Sequence, residues 1–133
     1  MRLDARPGTR RLRTGRLVME EKAIRAAEKG YALLAAGAQQ SNLDIPQNLA
    51  AFSWKVDALP GFEISDLETV HLRDHAGKRK WLHDRGCQWS GRLADFAATA
   101  LDLAAVYLLA QEAIRTRQEA DRLRRVLVSC RAA

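Results

Sequence analysis

From Arg92 to about Val128 the chain runs for roughly 37 residues without a glycine or proline. Most of these residues are strong helix formers. Leu93, Phe96, Ala100, Leu103, Tyr107, Ala110 and Ile114 recur at alternating spacings of three and four, which is one stripe of a helix. Leu101, Ala104 and Leu108 widen the stripe, and Asp95, Thr99 and Asp102 leave only a narrow polar face. A helix apolar on most sides must be buried by something, so the rest of the chain is read as its cover.

Length sharpens the constraint. A helix of that size would be about 55 to 60 Å long at 1.5 Å per residue. A compact domain of 133 residues has a radius of gyration near ~14 Å. The helix therefore either breaks, near Arg115 to Gln118, or projects. If it projects, the seam of Ile114, Leu123, Val126 and Leu127, continued by Cys130, needs a partner. A two-fold homodimer is the commonest solution. The six Arg from Arg115 to Arg131 face Glu119 and Asp121. Their i,i+3 and i,i+4 spacing favours pairing along the helix over a basic recognition surface.

The net charge of +6 is unevenly placed. Residues 1–18 hold six Arg against Asp4, and the remainder of the chain nets only +1. Pro7-Gly8 and Gly15 interrupt residues 1–16, which we expect to be a flexible basic arm. Arg10, Arg11 and Arg13 would serve it as contacts to phosphate or to an acidic partner. Met19 heads the periodic stretch that follows, so the arm also reads as an upstream extension of a chain starting there. Two cysteines, Cys87 and Cys130, do not make a disulfide framework, so a reducing cytoplasm is expected. No apolar run approaches the 18 to 20 residues, roughly, of a membrane span, and Asp95, Asp102, Gln111 and Glu112 interrupt the long helix. We expect no membrane insertion.

Residues 17–133 then form a single domain. A first helix is predicted over about 17–39, with Ile24, Ala27, Tyr31, Leu34 and Ala38 as its stripe. Its Ala- and Gly-rich face would let the long helix approach closely. Asp44 and Gln47 have capping-box spacing around Pro46, so a second helix is predicted over 44–59. Its stripe is Ile45, Leu49, Phe52, Val56 and Leu59, with a strand over 52–56 as the competitor. Between about 66 and 83, two β-prone runs, Thr69–Arg73 and Arg79–Leu82, flank Asp74-His75-Ala76-Gly77, which argues for a β-hairpin. A short helix from Asp66 is the alternative. The predicted class is α+β and predominantly helical: two N-terminal helices, a central basic hairpin and a long C-terminal helix.

Three kinds of chemistry compete in the middle of the chain. Arg73, Lys78, Arg79, Lys80 and Arg85, interleaved with Trp81, resemble a surface that grips a nucleic-acid backbone and stacks on bases. A solvated turn with Trp81 in the core accounts for the same residues. His71, His75, His83 and Cys87 are the one cluster with zinc-ligand types, at spacings of four, eight and four. They lack the tight cysteine knuckle of a strong zinc site. Cys87 with His83 and Asp84 makes a weak thiolate–imidazole candidate. No phosphate-cradling loop or nucleophile elbow is present.

We therefore expect a non-enzymatic accessory or regulatory protein with no cofactor and no catalytic residues. It would self-associate through its C-terminal helix and bind another macromolecule. A nucleic-acid binder using the Arg arm and the basic hairpin is the alternative. A zinc-stabilised fold or small metal-dependent enzyme is a weaker one.

Overall fold

In the computed structural model the backbone of residues 5–132 and the side chains of residues 19–130 are described. The elements, in order, are α1 (Ala5–Gln40), α2 (Leu49–Asp57), a 3-10 turn (Ile64–Asp66), α3 (Leu67–Val70), α4 (His75–Asp84) and α5 (Gly91–Ala132). There is no strand among the described residues, so the class is all-helical and the expected hairpin is overturned.

Two long helices form the frame. α1 and α5 run antiparallel: Gly30 lies against Leu103, Tyr31 meets Phe96 edge-on at 5.8 Å, and Glu20 is ion-paired with Arg117. A Cβ added at Gly30 would stand 3.4 and 3.8 Å from the Leu103 methyl groups, at ordinary contact distance. α2, α3 and α4 pack on other faces of α5 as a layer of short helices. The core between frame and layer contains Ala27, Tyr31, Ala35, Leu49, Phe52, Val56, Leu67, Val70, Trp81, Leu82, Phe96, Ala100, Leu101 and Ala104. Phe52 sits at its centre, stacked on Trp89 at 5.9 Å and edge-on to Phe96 at 6.1 Å.

The ends of the short elements follow from local hydrogen bonding. α1 stops where Asn42 takes φ +60; Asn42 N–H donates to Gln39 O and Leu43 N–H to Ala38 O, which is the Schellman pattern. α2 starts later than its predicted position at Asp44. Asn48, not Asp44, caps it, its side chain accepting from Ala51 N–H at 2.9 Å. Residues 43–47 are held as a connection, with Tyr31 Oη donating to the Pro46 carbonyl at 2.8 Å.

The hairpin fails for three physical reasons. Asp74 is an N-cap, its carboxylate accepting from Gly77 N–H at 2.7 Å. Gly77 is thus in the first turn of α4, where an added Cβ would come within 3.1 Å of Asp74 Oδ1 and Arg73 Cβ. A tight cap, not a β turn, calls for the glycine. Leu72, which should have alternated inward with Val70, is 76% exposed; Leu67 and Val70, three apart, are buried instead. α4 closes with a second Schellman motif, Gly86 at φ +87 and Cys87 N–H donating to Leu82 O.

The long helix does not break. α5 is continuous over 42 residues. Residues up to Ala105 supply its buried face, and partial cover continues to Ile114 and Arg117. From Gln118 to Cys130 every residue is exposed.

Candidate functional site

The projecting part of α5 is the first candidate. Leu123, Val126, Leu127 and Val128 are 49, 47, 61 and 64% exposed. Ile114 lies just before them and is half-covered. The charges around this seam are paired within the helix: Arg122 donates to Glu119 (Nε at 3.2 Å) and Arg124 to Asp121, each at i,i+3. Such pairs hold an isolated helix by a few tenths of a kcal/mol, about 0.2 to 0.5 each. They also leave the aliphatic residues free of competing charge.

Sequence reasoning missed a second apolar feature. Trp54 on α2 is 78% exposed and, with Ala50, Ala51, Tyr107, Leu108 and Gln111, lines a groove of about 380 Å3 between α2 and α5. The signal was available: Leu49, Phe52 and Val56 are the buried stripe of α2, and a tryptophan two residues from Phe52 cannot share their face.

In the basic segment around α4, Arg73, Arg79 and Lys80 are exposed, while Trp81 and several of the cations are engaged within the fold. Trp81 is buried. Arg85 lies over the Trp81 ring at 4.2 Å and bonds Asp66 Oδ2 at 3.1 Å. Lys78, nearly buried, donates to Asp102 on α5 at 2.9 Å. Arg79 pairs with Asp95 at 3.2 Å and Lys80 with Asp84 at 2.9 Å. The hydrogen bond from Lys80 holds the Asp84 carboxyl below the usual carboxylate range. Three of the five expected contact cations, Lys78, Arg79 and Arg85, thus fasten α4 to its neighbours; Lys80 pairs within α4, and Arg73 is exposed. The side chains of Arg10, Arg11 and Arg13 lie outside the described ones; the backbone there belongs to α1, which begins at Ala5 and not near residue 17.

The residues of the zinc candidate are dispersed. His71 Nδ1 lies 2.9 Å from the Leu67 carbonyl, His75 faces Asp95 at 3.1 Å, and His83 is exposed beside Asp84. No group of three metal-binding side chains occurs among the described residues. Cys87 is half-buried in a small cleft with Val56, Leu59, Leu82 and Trp89. Burial pushes its thiol pKa up, the direction opposite to that of an activated nucleophile.

One expectation about membranes needs correcting. α5 does contain an apolar window of span length, with mean hydropathy 1.6, because such a window tolerates the two aspartates. Half of that window is buried inside the protein, against α1, α2 and α4. No protein-family model matches this chain, and neither a characterised protein nor a solved structure does.

Proposed function

We propose that this chain is a non-enzymatic accessory protein that self-associates through the projecting part of α5 and presents a further apolar surface to another macromolecule. The observation that carries this reading is the aliphatic seam of Leu123, Val126 and Leu127, exposed on a helix that has outrun its cover. Soluble proteins keep large contiguous apolar surface for contacts. Trp54 and Tyr107 supply the second surface, tryptophan and tyrosine being enriched among residues that anchor interfaces. A cytoplasmic location belongs to the same proposal; free thiols at Cys87 and Cys130 are compatible with a reducing compartment.

Sedimentation or light scattering at tens of micromolar tests it. The full chain should weigh as a dimer. Leu123→Glu with Leu127→Glu, both at exposed positions, should weigh as a monomer with unchanged helical content. A monomer mass for the unaltered chain at that concentration removes the proposal. Nucleic-acid binding is the competing reading and has less support, because most cations of the α4 region are engaged with carboxylates.

A further inference from the structure

The seam and the layer of short helices lie on the same side of α5, and this decides how two copies can meet. Leu103, Phe96 and Arg117 mark the side of α5 that α1 occupies. Ala105 is buried roughly 160° round from Leu103, at about 100° per residue. Asp102, which holds Lys78 of α4, lies about 60° from Ala105, toward that opposite side. Leu123 comes eighteen residues after Ala105, which is about five whole turns, so it faces the same way. Val126 is nine residues from Arg117, about half a turn out of phase with α1. The seam therefore continues the face that α2, α3 and α4 cover upstream, beyond the point where their cover stops.

We infer that a second copy of this chain takes the place of the missing layer, and that the two α5 helices pair antiparallel. This rests on the self-association proposed above. A parallel pair would set both seams against one dyad with both bodies at the same end. Two layers of helices, each about 10 Å thick, would then have to fit between α5 axes that pack about 8 to 10 Å apart. Antiparallel pairing puts the bodies at opposite ends, and each projecting helix rests on the shelf beyond the other's layer. Residues 118–130 suit a second copy because they carry three Arg against two acids, already paired as Glu119–Arg122 and Asp121–Arg124, so like helices approach with little repulsion. A dyad at Arg125 matches Leu123 with Leu127 of the second copy, and Ala120 with Cys130. Glu119 and Arg124 flank the seam with the spacing that favours a parallel pair. Exposed ion pairs of that kind are weak and do not outweigh the steric overlap of two layers.

Disulfide trapping in the full chain tests the orientation. In the inferred dimer the two Cys130 are ten residues apart along the axis, about 15 Å. A disulfide needs Cα atoms about 4.4 to 6.8 Å apart. Oxidation of Cys87→Ala with diamide should give no covalent dimer. Cys87→Ala with Ala120→Cys should give one, and peptide mapping should join position 120 of one copy to position 130 of the other. A Cys130–Cys130 bridge overturns the antiparallel pairing while leaving self-association standing. A sedimenting dimer that forms neither bridge puts the contact elsewhere and overturns it too. A monomer in solution removes the self-association on which it rests.

Discussion

Over its first six turns, α5 has helices packed on most of its circumference; from Gln118 to Cys130 the same helix has every described residue exposed. Both halves lack glycine and proline after Gly91 and both carry aliphatic residues at helical spacing, so both read as helix; the second half is marked off by its charge. They differ in what the rest of the chain is long enough to cover. The first half takes its stability from shared burial with Tyr31, Phe52 and Phe96. The second is held by its own hydrogen bonds and by i,i+3 ion pairs. Helix formation is a local property, and burial depends on the whole fold.

That contrast can be broken by substitution. The largest effect belongs in the covered half. Phe52→Ala empties the centre of the aromatic cluster and should cost about 3 to 5 kcal/mol of unfolding free energy, measured by chemical denaturation. A loss below about 1 kcal/mol would mean that the cluster does not hold the two long helices together.

A smaller effect is electrostatic. Burial pushes the Tyr31 hydroxyl pKa from 10.0 up to about 12. The folded chain keeps the proton that the unfolded chain has already lost, so this contribution is complete below pH 10 and is lost as pH rises toward about 12. Over that window the fold should lose on the order of 2 kcal/mol. Tyr31→Phe should start less stable, because the bond to the Pro46 carbonyl is gone, yet show a shallower alkaline decline. An equally steep decline in that variant would assign the alkaline loss to other groups.

The smallest effect belongs in the exposed half. Arg122→Ala removes the exposed pair with Glu119 and should change unfolding free energy by no more than about 0.5 kcal/mol. A loss several times larger in the unaltered assembly would mean that this stretch contributes to folding as much as the covered half does.

The stripes of the long elements were legible because helical spacing is a short-range signal. Ala27, Tyr31 and Ala38 on α1, and Phe96, Ala100 and Leu103 on α5, follow directly from it. The segment around α4 was misjudged because its composition is locally ambiguous. Val70 with Leu72 alternates like a strand, Leu67 with Val70 steps like a helix, and the capping of α4 by Asp74 decided between them. The fate of the cations was legible only in part. Lys80 with Asp84 has i,i+4 spacing and can be read from sequence. Lys78 with Asp102 and Arg85 with Asp66 join residues 24 and 19 positions apart, and no local pattern announces them. The exposed seam was foreseeable from helix length against domain size, whereas the side of α5 on which it falls relative to the short helices required the packing.

The bond between Glu20 and Arg117 spans 97 positions of sequence. α1 is made first, but the residues that cover its inward face, Phe96 and Leu103 among them, come from the far part of the chain. Contacts of such separation pay their loop-closure entropy before they return any stabilisation. During synthesis Tyr31 can meet Pro46 and Phe52 early, but the part of α1 that packs on Phe96 and Leu103 has no cover until the first turns of α5 have emerged. That separation predicts late docking of α1 against α5 as the step that completes the core, and a folding φ-value near one at Leu103 would exclude that order.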